Sequence, residues 1–168
     1  IFFETGLTRL VPSYDLNWKQ LAALAARCDA SRLECVIHQH MPMFHMEHCV
    51  FAHTLSKGKD FHDCGRPCER HRVDLRDRVG EDHPLLPDVG CRNTLFNAVP
   101  QTGARYFRDL HEAGLRRYRV ELMQENADDV RGTLAAYRRL LSGATAGEDL
   151  VRELKAQSQL GVTHGTLQ

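Results

Sequence analysis

The chain has 168 residues, 42% of them hydrophobic and 26% charged, and its 22 basic and 22 acidic residues cancel. That length sustains one well-buried domain but not two comfortable ones, and a formal charge of zero leaves no overall basic footprint for nucleic acid. No run approaches eighteen apolar residues, so no transmembrane helix is expected.

The opening residues IFFETGLTRL lack the charged segment and apolar core of a secretion signal. IFFETG reads as the last turn of a helix with Gly6 as its C-terminal glycine, so the chain is expected to be a fragment of a larger catalytic domain. LTRLVPS then reads as a strand, and Asp15 as the cap of a helix over LNWKQLAALAARC. RLECVIHQH, 32–40, is expected to be a strand with β-branched residues at its centre. MEHCVFAHTL offers a helix start, with His45 and His48 at helical spacing, and SKGKDFHDCGRPC is turn-rich and irregular. HRVDLRDR, 71–78, alternates as a half-exposed antiparallel strand does, with HPLLPDVG pairing to it across RVGED. In the last third, TGARYFRDLHEAG is a helix closed by Gly114, RRYRVELM a strand, and NADDVRGTLAAYRRLLSG a helix capped by Asn126 and ended by Gly143. GEDLVRELKAQSQLG, 147–161, is a weaker helix.

Strand–helix alternation at both ends implies βα units and a parallel sheet. About three such units are visible, too few to close a barrel. The expected architecture is α/β: the C-terminal half of a (β/α)8 TIM-barrel-like domain, forming a single domain over 1–168. A Cys/His-rich, partly antiparallel insertion at about 41–95 interrupts it.

That insertion holds most of the chemistry-bearing residues. With no secretion signal, the six cysteines point to a reducing, cytoplasmic setting, where clustered thiols serve metals or catalysis more often than disulfides. Cys64 and Cys68 form C-x3-C around a Gly-Arg-Pro turn able to aim both sulfurs at one point. Cys49 lies upstream and Cys91 downstream, completing four thiolates suited to Zn2+ or an iron–sulfur cluster; spacing alone leaves both open. Cys28 and Cys35 read as core residues. His38 and His40 end a parallel-type strand, where barrels assemble their chemistry, and suit a metal site or general acid–base work. Cys49 beside His48 or His53 supplies the groups of a thiol peptidase, though no peptidase signature surrounds them. Glu121 near the end of its strand is a site candidate, while Glu34 is equally explained by an ion pair with an arginine. Eighteen of the basic residues are Arg; Arg66, Arg70 and Arg92 flank the cysteines and suit a carboxylate or phosphate.

The series PSYDLN, LECVIH, MEHCVFAHTLSKGKDFHDCGRPCERHRVDLRDR, DVGCRN and AGLRRYRVEL resembles peptidase family U32, in the family's order from Gly6 to about Leu141. The resemblance implies a (β/α)8-type catalytic domain with an oxygen-sensitive [4Fe–4S] cluster on four cysteines. It implies participation in hydroxylation of RNA bases or a related small aromatic substrate; the alternatives are a collagenase-like metallo- or thiol peptidase and a zinc-braced structural domain. Cys49 stands where the family's S-G-R-C segment has its cysteine, here M-E-H-C. Cys68 matches that of Q-P-C, here R-P-C, with Cys64 four before it, and Cys91 lies where a more distant cysteine is expected. Glu34 and His38 match a strand pattern of Glu, apolar residues, then His. Glu121 matches the Glu of I-E-G, with Leu122 in place of Gly. Pro42 occupies a position where many relatives carry a further cysteine. The implied roles are cluster or metal ligation by Cys49, Cys64, Cys68 and Cys91, substrate-cavity lining and catalysis by His38, His40 and Glu121, and substrate binding by Arg66, Arg70 and Arg92. RNA or a small molecule is the expected partner, with the N-terminal remainder of the barrel or a second copy covering the open edge.

Overall fold

The computed structural model describes residue 2 and residues 4–158. The described residues divide into two compact units, one built from the chain up to Gln39 and from Val99 onward, the other from His40–Ala98.

The first unit is a mixed sheet with helices on one face. Strand β1 (Glu34–Gln39) runs into the second unit; the chain re-enters through β6 (Gln101–Thr102) and later adds β7 (Arg117–Val120) and β8 (Gln157–Ser158), in the order β7-β1-β6-β8. β1 is parallel to β7 and β6 to β8, but β1 and β6 are antiparallel. This corrects the all-parallel expectation, and no closed barrel forms among the described residues. LTRLVPS is not a full strand: it meets β1's approach through a single parallel bridge, Leu10 to Leu33.

Helix α1 (Trp18–Ala25) is capped by Asn17, not Asp15. Asn17 accepts from the Gln20 N–H at 3.1 Å while Gln20 accepts from the Asn17 N–H at 2.9 Å. That reciprocal pair satisfies two orphan donors, which Asp15, tied to Ser13, cannot do. Helix α3 (Phe107–Glu112) follows a 3-10 turn at Ala104–Tyr106 and ends at Gly114, whose φ of +99° is the left-handed state that favours glycine after a helix. Asn126 caps α4 (Ala127–Leu141), accepting from Asp128 and Asp129. Helix α5 (Gly147–Glu153) is shorter than expected, because the chain turns left-handed at Lys155 and enters β8; residues 159–161 of that expectation lie outside the described residues. At the start, the described residues Phe2 and Glu4–Gly6 form a turn, not a helix, and residues 1 and 3 lie outside the described residues.

Alternation in β1 points Cys35 and Ile37 to the helical face. Cys35 packs with Leu33, Leu21, Leu110 and Leu115, and Ile37 with Ala136, Tyr137, Leu140 and Leu150. Each such large side chain, once buried, contributes about 1.5–3 kcal/mol. Cys35 is the core residue expected, its thiol pushed up to about 12 by burial. Cys28 is not: it is exposed past the end of α1, its Sγ donating to the Leu24 carbonyl.

The second unit is an antiparallel sheet in the order β2-β5-β4-β3, with β2 (Pro42–Met46), β3 (Val73–Arg76), β4 (Asp82–Asp88) and β5 (Arg92–Phe96). Short helix α2 (Val50–Leu55) lies between β2 and β3, and its Phe51 packs on Leu85 and Leu95. The β3–β4 hairpin turns where RVGED predicts it. β2 and β5 are additions, and His45 accordingly sits on β2 with its Nδ1 3.0 Å from Thr94 Oγ1, not on a helix with His48. Short apolar runs broken by Pro42 and Asn93 hide these strands in the sequence.

Candidate functional site

All four site cysteines belong to the second unit. Cys49 is the residue before α2, and its Sγ accepts the Ala52 N–H at 3.4 Å. Neither His48 nor His53 is hydrogen-bonded to it among the described residues, so the thiol-peptidase pairing is not made. Asn93, fully buried on β5, holds this corner: its Oδ1 accepts the Val50 N–H at 2.6 Å and its Nδ2 donates to the Arg92 carbonyl at 2.7 Å.

A tightly wound loop presents Cys64. Asp63 Oδ1 accepts the N–H groups of Lys59 and Asp60, at 2.7 and 3.1 Å, and the Asp60 carbonyl accepts the Cys64 N–H at 2.9 Å. Those backbone bonds hold the Asp63 carboxyl below the usual carboxylate range. Gly58 approaches so closely that a Cβ there would lie 2.5 Å from Asp63 and Cys64 backbone atoms. Gly65 and Arg66 then adopt left-handed φ of +67° and +50°, reversing the chain into the 3-10 turn Pro67–Glu69 that carries Cys68. Cys64 Sγ accepts the Arg66 N–H at 3.4 Å.

This brings Cys49 and Cys64 each within electrostatic reach of Cys68. The Cys68 thiol is pushed up first by burial, then by the negative charges of Cys49 and of Cys64. Cys49 and Cys68 also both pack on the Phe51–Leu85–Leu95 core. Cys91 is not among the groups acting on Cys68. It stands in the β4–β5 turn after Gly90, at a φ of +60° that is uncommon outside glycine. Among the described residues, no group of three or more His, Cys, Asp or Glu side chains is arranged to hold a metal ion.

The flanking arginines are anchored locally. Arg66 pairs with Glu69 at 3.2 Å, Arg70 donates to the Gly65 carbonyl at 2.7 Å, and Arg92 to the Val89 carbonyl at 2.9 Å. His40, also in this unit, has Nδ1 2.7 Å from the Asn97 carbonyl, so that nitrogen carries the proton.

His38 and Glu121 belong to the first unit. The register of β1 against β7 slips between Val36 and His38, a bulge that turns both Ile37 and His38 toward α4. His38 is buried with Nδ1 3.2 Å from the Tyr137 hydroxyl, which lies 2.6 Å from Thr102 Oγ1; Thr102 in turn accepts the Ala104 N–H. Burial pushes the Tyr137 phenol well above its ordinary value, keeping it a neutral donor. The Tyr137 hydroxyl also lies 3.4 Å from the Ile37 carbonyl, so it has two acceptors in reach, that carbonyl and His38 Nδ1. Tyr137 and Thr102 escape the sequence reading, since a Tyr on an amphipathic helix and a Thr on a two-residue strand carry no spacing signal.

Glu121 follows the last residue of β7, its N–H donating to the His38 carbonyl at 2.8 Å. Its carboxylate is 3.4 Å from Arg119, whose main partner is Glu34 at 2.6 Å; Arg9 also reaches Glu34, at 3.3 Å. Glu34 is thus the ion-paired residue that the plainer reading foresees, its carboxyl lowered chiefly by the Arg119 hydrogen bond.

A family model described as peptidase family U32 matches residues 1–167. No curated protein and no solved structure matches the chain.

Proposed function

The chain belongs to peptidase family U32, and from that premise we propose that it is the C-terminal half of a (β/α)8-type domain that carries a cysteine-held [4Fe–4S] cluster and takes part in hydroxylating RNA bases or a related small aromatic substrate. The observation that supports this reading is the approach of Cys49 and Cys64 to Cys68. The donor chemistry fits: thiolates are the ligands iron–sulfur clusters and zinc select, and Cys49 and Cys68 both pack on an apolar core, with the Glu69 carboxylate also acting on Cys68. Cys91, on its turn, is the fourth ligand in this proposal.

When bound, such a cluster supplies one-electron redox chemistry. The chain's own residues do the rest. The thiols must lose their protons to bind, and Cys68, held protonated by burial and by its neighbours, ties binding to pH. Asn93 fixes the start of α2 beside Cys49. At the C-terminal ends of β1 and β7, where barrel folds place their chemistry, His38 and Glu121 are assigned general acid–base work, with the Tyr137 hydroxyl hydrogen-bonded to His38 Nδ1. His40 is assigned to the substrate cavity, and Arg66, Arg70 and Arg92 to an anionic substrate group. Protein purified without oxygen should be brown, with absorbance near 400 nm and about four irons and four sulfides per chain. Replacing Cys68 by Ser should remove the colour. One zinc without sulfide would overturn the cluster and leave the zinc-braced domain. No helix of the described residues is long and apolar enough to cross a membrane.

The family's description as a peptidase supports a second reading, cleavage of a collagen-like peptide by Cys49 or a bound metal. Its test is Cys49→Ala in rigorously purified protein: peptide cleavage that survives the change excludes Cys49 as nucleophile.

A further inference from the structure

The net charge of the chain is zero, yet its basic side chains are not evenly spread. At the N-terminal ends of β1 and β7 an open cleft of about 340 Å3 is lined by Arg9, Glu34, Arg116, Arg117, Tyr118 and Leu141. Three guanidiniums meet a single carboxylate there. That carboxylate is already divided between Arg9 and Arg119.

Arg116 and Arg117 have no carboxylate partner among the described residues. Their bonds go to backbone carbonyls: Arg116 Nη1 donates to His111 and Leu115, and Arg117 Nε to Ser31 at 3.2 Å. A carbonyl anchor holds the guanidinium plane without cancelling its charge, and it occupies only part of the five-donor fork. Two anchored, uncompensated forks on the residues lining one cleft match an anion with several oxygens and more than one negative charge. A carboxylate would satisfy one fork only. We propose that this cleft binds a phosphate group of a ligand, with Arg116 and Arg117 as its direct donors and Arg9 as a third, more exposed one.

The site is independent of the cysteine reading. It begins at Glu34 and Arg117, the first residues of their strands, whereas His38 lies four residues further along β1, about 13 Å at strand rise.

The test is titration of the full chain with inorganic pyrophosphate, followed by calorimetry and by amide NMR. Saturable binding is expected, with shifts at Arg116–Tyr118 and weakening as NaCl rises from about 50 to 200 mM. The double variant Arg116→Gln/Arg117→Gln should lose at least about tenfold in affinity, some 1.4 kcal/mol, while Arg131→Gln on α4 changes nothing. Leu141→Glu leaves every anchor intact and sets a carboxylate in the cleft; it should abolish binding even if the double variant unfolds. A six-nucleotide single-stranded RNA separates the sources of the phosphate. Competition with pyrophosphate, and a salt slope reduced by about 1.4 in the double variant, assign the site to phosphodiesters; pyrophosphate binding without competition assigns it to small phosphorylated ligands. Absence of saturable binding, or affinity unchanged in Leu141→Glu, would overturn the proposal.

Discussion

Asn93→Ala isolates the residue that ties β5 to the start of α2. Asn93 is fully buried and makes two hydrogen bonds, accepting from the Val50 N–H at 2.6 Å and donating to the Arg92 carbonyl at 2.7 Å. The Arg92 carbonyl loses one partner, about 0.5–1.5 kcal/mol net. The Val50 N–H is left half-buried without an acceptor, about 1–3 kcal/mol. The sum is about 1.5–4.5 kcal/mol, which for a chain of this size lowers Tm by about 3–18 °C. The assay is thermal denaturation by circular dichroism, read beside the alkylation rate of Cys49. Asn93→Asp keeps the acceptor for Val50 but turns a carboxylate oxygen on the Arg92 carbonyl and buries a charge, so it should lose at least as much as Ala. A Tm within about 1 °C of the parent would refute the claim that this side chain holds the corner.

Three other changes address the cysteines and the ion pairs. Cys49→Ser removes a negative charge acting on Cys68, so the Cys68 thiolate should form more readily and its iodoacetamide profile should move to lower pH; an unmoved profile would mean the two thiols are not neighbours. Cys91→Gly relieves a left-handed φ of +60° and should raise the stability of metal-free protein by about 1 kcal/mol, while cutting iron and sulfide content if Cys91 is a ligand; a fall in stability would contradict the strain. Glu34→Gln should cost about 1 kcal/mol at pH 7, within the range of partly exposed ion pairs. The Glu34 carboxyl is lowered in the fold, so its contribution is complete above the unfolded value of about 4.3 and fades as pH falls through the folded one. The gap between parent and variant should therefore narrow as melts go from pH 7 toward pH 3, and a gap that does not narrow would refute the ionic account.

The sequence made the periodic elements of the first unit readable and left two of the second unit's four strands, β2 and β5, hidden. Helix α4 carries its own cap and terminator, Asn126 and Gly143, and β1 carries a β-branched centre, Val36 and Ile37; these signals are local, so no partner is needed to read them. β5 and β6 depend on partners. Asn93 is a polar residue inside a strand, a pattern that argues against a strand until the Val50 N–H is in place to satisfy it, and β6 is only two residues long. The same holds for the cap of α1. Asp15 and Asn17 both suit the role by type, and only the reciprocal bond to Gln20 decides between them.

The cysteine site shows the same division between local and long-range information. C-x3-C around Gly65-Arg66-Pro67 announces a turn, and the left-handed pair Gly65–Arg66 makes one. The approach of Cys49 is a different kind of fact. It depends on Asn93 from a strand more than forty residues away, on Phe51 packing against Leu85 and Leu95, and on Gly58 closing on Asp63. None of those residues is a ligand, and no spacing rule names them. The cysteines advertise themselves by chemistry, whereas the residues that aim them are legible only through contacts. The consequence can be measured. Gly58→Ala adds a single methyl that must displace the Cys64 backbone, so it should lower iron and sulfide content as a ligand change would, with every cysteine still present. Full occupancy in that variant would show that Cys64 does not need the loop to reach its neighbours.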